Sequence, residues 1–419
     1  MKRLSVCALV AVLLVAALAG SRAAEAAEKA KEPPPTVYWM SVATQNQTIP
    51  GMEQQMTGFS GMMGRAMGMP EMGPKRTLLL QLNSPRSVPP SPLATHDIPP
   101  GQKMGDTLPL LIPVREAAKP VDEEPQERTM EKPKMRMLIY WGCGDTVGKG
   151  QPKVLDTEKM SLVEFGKAFR THSISRQYPP RPRSGWAYAD WPNKKNSLAV
   201  PKDSSLVGKH FIHGNYMPDI TFSIPARQDF MDVVDFTSVS GGLADAIRFQ
   251  WRQVPTAIGY FGMVVAHNQD AGETIIWSSS EVEETGFGLL DYVPSSDVRK
   301  LIKERVVMSS DTTSCTIPKG IFKDTGGAAL QFIGYGEDMY AEHPPRPKDP
   351  KQPYHPIWTA KVRLKSTGML VLGEGMAEKR EKKSKRAPRE EGERVEQPQP
   401  EEKKEETKSP LNILKGLFR

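Results

Sequence analysis

Hydrophobic and polar residues alternate most cleanly between Ala246 and Val282. Ile247, Phe249 and Trp251 are separated by Arg248, Gln250 and Arg252, the two-residue period of a strand with one buried face. Val254-Pro255-Thr256 interrupts the pattern. Ile258 to Ala266 then predicts a second strand, with Phe261, Met263 and Val265 on one face. Asn268-Gln269-Asp270-Ala271-Gly272 has the composition of a hairpin turn, and Thr274 to Trp277 begins a third strand. The segment reads as a β-meander with an aromatic and β-branched core.

Similar patterns predict strands at Val37–Ala43, Arg76–Leu82, Thr107–Pro113, Lys134–Trp141, Ser205–His213, Asp219–Ile224, Cys315–Pro318 and Ala329–Met339, and either one long strand or a hairpin around Ser366-Thr367-Gly368 at Ile357–Leu372. In Lys134–Trp141, Met135, Met137 and Ile139 oppose Lys134, Arg136 and Leu138. Helical spacing occurs at Ser161–Arg170 and, more strongly, at Pro294–Val307. There Val298, Leu301, Ile302 and Val306 share a face, and Ser295 or Ser296 stands where a cap is needed. The predicted class is mainly β: two β-sandwich-like domains, one inserted helix and a disordered charged C-terminal tail. The expected layout is an N-terminal β-rich domain over 27–220, with a Met-rich loop at 51–73, and a second sandwich over 221–376. The boundary falls near Tyr216–Gln228. Residues 377–408 form a polyampholyte without core formers, and 409–419 form a short amphipathic terminus.

Composition changes this picture in two ways. With 38 prolines and 34 glycines in 419 residues, much of the chain lies outside regular elements. The net charge of +7 is scattered except in the tail. No basic stripe is interleaved with stacking aromatics, so no nucleic-acid partner is expected. Residues 1–26 stand apart. Lys2 and Arg3 precede an apolar run from Leu4 to Ala19, followed by small-x-small sites such as Ser21-Arg22-Ala23. This predicts a cleaved secretory signal peptide, because a spanning helix needs about 20 apolar residues. The expected location is the periplasm or the outside of the cell. The amphipathic terminus is a candidate for peripheral membrane contact. Cleavage removes Cys7 and leaves Cys143 and Cys315. In an oxidising compartment these are a candidate disulfide pair, with two separate buried thiols as the alternative.

The run Trp251-Arg252-Gln253-Val254-Pro255-Thr256-Ala257-Ile258-Gly259-Tyr260 resembles the second-to-third strand passage of fibronectin type III-like modules. These modules pair a core Trp with a small-residue turn and a Tyr on the next strand. The resemblance covers about residues 246–372. It implies a β-sandwich used for adhesion, spacing or ligand display, without catalysis. The chain departs from the module in a helix-bearing insertion between Val282 and Met308. It also has Phe332-Ile333-Gly334-Tyr335 where the module places a Tyr near the strand's start. The rest of the chain resembles no characterised family.

Candidate chemistry is sparse. Gly142–Gly150 is Gly-rich after a strand, but Cys143 and Gly150 occupy positions where a phosphate-binding loop needs Gly and Ser/Thr. A tight turn with left-handed glycines is expected instead. His210 and His213 are three apart on a predicted strand and so point to opposite faces. Glu337, Asp338, Glu342, His343 and His355 gather around a Pro-rich stretch that reads as solvated. Met52, Met56, Met62, Met63, Met67, Met69 and Met72 supply thioethers, soft ligands suited to Cu(I). Trp186, Tyr188 and Trp191, near Arg181 and Arg183, are candidates for a sugar-stacking face. No Gly-x-Ser-x-Gly elbow, His-Glu-x-x-His helix or zinc cysteine pair is present. The sequence leans away from catalysis, although paired glycosidase carboxylates leave no local signature. The expected function is that of an exported envelope protein whose loops bind a macromolecular partner, protein or polysaccharide, without a cofactor. The alternatives are a periplasmic copper-binding protein using the Met-rich loop, and a carbohydrate-active hydrolase.

Overall fold

A computed structural model describes residues 33–48, 73–113, 135–168, 172–175 and 177–373. Residues 1–26, read above as a signal peptide, the methionines of the Met-rich segment, the charged connection at 115–133 and the residues after 373 lie outside the described residues. The fold is mainly β, and its strands form three sheets. The largest runs β6 (Lys153–Asp156), β5 (Arg136–Trp141), β13 (Glu273–Ser278), β12 (Ala257–Asn268), β16 (Ala328–Gly336), β18 (Trp358–Leu372), β1 (Thr36–Thr48), β2 (Lys75–Ser84), β7 (Ala187–Trp191). Two short strands join it, β14 (Met308–Ser309) on β12 and β17 (Met339–His343) on the first part of β18. A four-stranded sheet holds β4 (Thr107–Pro109), β3 (Ala94–Asp97), β8 (Gly208–Gly214) and β9 (Ile220–Ile224). A three-stranded sheet holds β10 (Phe236–Ser240), β11 (Ile247–Trp251) and β15 (Ser314–Ile317).

The boundary expected near Tyr216–Gln228 does not separate the sheets. β1, β2, β5, β6 and β7 precede it, yet they share one sheet with β12, β13, β16 and β18. Two parallel pairings make this joint: β1 on β18, and β5 on β13. Parallel partners are necessarily remote in sequence, so no local composition shift reports them. The described residues accordingly fall within one compact unit.

The meander expected over Ala246–Val282 is corrected in the same way. Alternation within β11 is as predicted, with Ile247, Phe249 and Trp251 buried and Arg248 and Gln250 exposed. However, β11 pairs with β10 and β15, whereas β12 pairs with β13 and β16. Val254-Pro255-Thr256 therefore carries the chain from one sheet to another. The buried Val254 N–H donates to the Tyr260 hydroxyl at 2.8 Å, so the crossing does not strand this backbone donor. The β12–β13 connection is the predicted hairpin. Asn268 Oδ1 accepts from the N–H groups of Asp270 and Ala271, both at 3.1 Å, and Gly272 adopts φ 63°.

The large sheet is covered differently on its two faces. One face carries Tyr38, Met40, Leu80, Leu82, Val264, Trp277, Leu330, Phe332 and Val362. Both smaller sheets pack onto it, through Phe249 and Trp251 from one and Ile212 and Phe222 from the other. Trp251 lies 4.6 Å from the Phe332 ring and 5.6 Å from Phe249, within the range of favourable aromatic pairs. The opposite face carries Phe261, Met263, Ile276, Ile333 and Tyr335. It is covered by the 282–307 connection and its helix α2 (Ser295–Lys303), through Leu289, Val293, Val298 and Leu301.

The expected serine cap of this helix is absent. The Pro294 carbonyl accepts from Asp297 and Val298, while Ser295 Oγ accepts from the Asp338 N–H at 2.6 Å. The hydroxyl thus ties the helix start to the β16–β17 turn. The earlier helix, α1 (Leu162–Ala168), has a reciprocal cap instead. The Glu164 N–H donates to Ser161 Oγ at 3.2 Å, and the Ser161 N–H donates to Glu164 Oε2 at 2.8 Å.

Candidate functional site

The helix-bearing layer stops short of β1 and the first half of β18, and a groove of about 570 Å³ opens at its margin. Strand register builds the floor. Trp39 on β1 stands opposite Lys361 on β18, and Lys361 stands opposite Tyr340 on β17. These three side chains form one row across three strands. The next row has Ser41 opposite Arg363, and the one after has Ala43 opposite Lys365. Pro294, Ser295, Ser296 and Arg299 from the start of α2 make one wall, with Glu337 and Asp338 beside them.

Charge on this face is arranged in pairs. Lys361 Nζ lies 2.9 Å from Asp338 Oδ2 and 5.4 Å from the Trp39 ring centroid, and also donates to Gln177 Oε1. Lys365 Nζ lies 2.7 Å from Asp291 Oδ1. Arg299 pairs with Glu337. Burial holds the Asp338 carboxyl above its ordinary range, opposed by Lys361. Arg363 is different. Its guanidinium carbon lies 4.1 Å from the Tyr292 ring centroid and 5.3 Å from that of Trp39. Its Nε donates to Ser41 Oγ at 2.8 Å. Burial lowers its pKa, opposed by Tyr292, Asp291 and Asp338, and burial also pushes the Tyr292 phenol well upward.

A second polar cluster is sealed inside the sandwich. Tyr38, His96 and His210 are each fully buried. Tyr38 Oη lies 2.9 Å from His96 Nδ1, His96 Nε2 lies 2.9 Å from His210 Nδ1, and His210 Nε2 lies 2.7 Å from the Leu206 carbonyl. That carbonyl can only accept, so His210 carries its proton on Nε2 and, being neutral, accepts on Nδ1. His96 therefore donates from Nε2 and accepts from the Tyr38 hydroxyl. One carbonyl thus sets the direction of the whole chain. Burial lowers both imidazole pKa values, with His210 further lowering that of His96.

The residues singled out in the sequence fall elsewhere. Cys143 and Cys315 are bonded, with Cα atoms 5.2 Å apart. The link pins the Gly142–Gly150 turn to β15, where the Gly144 N–H also donates to the Thr316 carbonyl at 2.8 Å. Gly142 and Gly150 have φ 100° and 84°, the left-handed turn expected there. His210 points inward and His213 outward, where it lies 3.3 Å from Asp97. Among the described residues no group of three or more His, Cys, Asp or Glu is placed to hold a metal.

Trp186, Tyr188 and Trp191 do not form a shared stacking face. Trp191 is buried in the core, where its Nε1 donates to Asn196 Oδ1 at 2.7 Å. Tyr188, three residues earlier on β7, points to the opposite face and donates to Asp190. Trp186 precedes the strand, with Arg183 over its ring at 4.3 Å. The seven methionines Met52, Met56, Met62, Met63, Met67, Met69 and Met72 lie outside the described residues.

No family model and no curated protein matches this chain. The groove residues must therefore be judged on their own chemistry. Sequence reading placed Trp39 in a strand and Lys361, Arg363 and Lys365 in another, without joining them. The available signal was the polar half of β18: three cations in strict alternation, an arrangement of like charges on one strand face that calls for carboxylates or rings from elsewhere.

Proposed function

We propose that this chain is an exported, non-catalytic binding protein of the cell envelope that holds a polysaccharide in the groove over Trp39. The observation that carries this reading is the row Trp39–Lys361–Tyr340. Two aromatic rings flank a cation that is already matched by Asp338. Ring faces suit the C–H surfaces of sugars, and paired charges offer both donors and acceptors to hydroxyls. The groove's size is in the usual range for small-ligand sites, about 300–1,000 Å³. Export is supported by the apolar N-terminal run and by a cystine between Cys143 and Cys315, a bond that persists in oxidising compartments. A ligand-displaying module of the fibronectin type III kind is supported by strand order. β10, β11 and β15 face β13, β12, β16 and β18, with Trp251 and Tyr260 in ring contact at 5.6 Å between them.

The test is retention of the full chain on immobilised neutral and uronate-containing glycans. Wild type is expected to be retained on at least one, and Trp39→Ala and Tyr340→Ala are each expected to weaken retention at least tenfold. Retention that neither substitution changes, or none on any glycan, would remove the reading.

A further inference from the structure

Arg299 and Lys361 line the groove, and Arg363 and Lys365 follow Lys361 on the same face of β18; three of these four cations have carboxylate partners, Lys361 with Asp338, Lys365 with Asp291, and Arg299 with Glu337. Arg363 is the remaining one. Among the described residues, no oxygen accepts from its two terminal amino groups; its single hydrogen bond runs from Nε to Ser41. Two rings and one hydroxyl contact the guanidinium. A void of about 10 Å³ lies at this point, bounded by Tyr292, Val293 and Arg363, room for about one water. It shares Gln177, Pro294, Asp338 and Lys361 with the groove. The exposed Gln177 side chain stands between the two spaces, its amide oxygen accepting from Lys361.

We infer that the groove selects an acidic glycan, a uronate carboxylate of the ligand displacing Gln177 and seating one oxygen on Lys361 and the other on the Arg363 fork. Same-face residues two apart on a strand stand about 6.6 Å from each other, a separation that two long cationic side chains converging on one carboxylate can bridge. A planar carboxylate matches a guanidinium fork in its own plane, and the Arg363 guanidinium lies over the Trp39 and Tyr292 rings. The inference rests on the glycan-binding reading above and adds its specificity.

The probes are polygalacturonate and the same polymer with its carboxylates methyl-esterified, offered to the full chain. Wild type is expected to hold the acidic polymer at least tenfold more tightly than the ester. Arg363→Gln is expected to abolish that preference, holding the two polymers within twofold of each other. Arg363→Lys, which keeps the charge but not the fork, is expected to lose at least threefold on the acidic polymer relative to the ester. Free galacturonate is expected to compete better than inorganic phosphate. Equal retention of the two polymers by wild type would overturn the inference and leave the glycan reading standing. So would an equal loss on both in the Arg363 variants, or competition by phosphate as strong as by galacturonate. Retention of neither polymer would overturn the acidic selection, and the wider glycan panel with Trp39→Ala would then judge the glycan reading separately.

Discussion

Tyr38 and Trp39 are neighbours in sequence and occupy opposite sides of one strand. Tyr38 ends in a sealed chain of neutral groups, every member of which is paired and dry. Trp39 ends in a face of ion pairs and stacked cations that borders an open groove. Strand alternation places them so, but the layers above them decide what each becomes. Two small sheets close over the first side. The helix-bearing connection leaves the second side incompletely covered. A polar cluster that is fully satisfied and buried fixes how layers fit together, whereas one that keeps a spare donor at a margin is free to meet a ligand.

This contrast can be broken most forcefully at His96. Replacing it with Ala strands the Tyr38 hydroxyl and His210 Nδ1 and opens a hole, and is expected to destabilise by about 3–5 kcal/mol in denaturant titration. A loss below about 1 kcal/mol would mean the sealed chain is not structural. On the open side, Lys361→Met leaves Asp338 without its cation and is expected to cost about 2–4 kcal/mol, while Lys361→Met with Asp338→Leu is expected to return close to wild type. If the double variant is no better than the single, that pair matters more to the fold than the comparison allows. Next is pH. Both buried histidines release protons more readily when folded than in the unfolded chain, whose value is near 6.5. The unfolded chain therefore takes up protons first as pH falls. The contribution is fully present above about pH 6.5 and is lost progressively below it. The melting temperature is expected to drop between pH 7 and pH 5, and less so in His96→Gln. Equal slopes in the two proteins would assign the drop to other groups. Trp39→Ala should be the mildest in stability, about 1–2 kcal/mol from two lost cation–π contacts and some packing, although it is expected to be the most damaging to glycan retention. A stability loss equal to that of His96→Ala would erase the distinction between the two sides.

The elements with a local cause were legible in the sequence. Ile247, Phe249 and Trp251 announced a strand by period, Asn268 to Gly272 announced a turn by chemistry, and Val298 and Leu301 announced the face on which α2 packs. Sheet membership was not legible, because β11 and β12 look like consecutive meander strands until their partners are known. The groove was hidden for a related reason. Ser41 and Arg363 meet across 322 positions, and only register sets Trp39 beside Lys361. The polar half of β18 was indistinguishable from a solvated surface without the helix start that walls the groove beside it. Aromatic residues drew attention at Trp186 to Trp191 simply because they are close in sequence, yet on a strand an i, i+3 pair is divided between faces.

The partnership of β1 with β18 also bears on when this protein can finish folding. Thirteen residues of β1 wait for a strand that ends at Leu372. At ribosomal speeds of about 5–20 residues per second, the 322 positions between Ser41 and Arg363 take roughly 15–65 s to synthesise. Throughout that interval the centre of the large sheet has no mate on one side. A chain that withholds its own closure in this way cannot complete its largest sheet until β18 has been made.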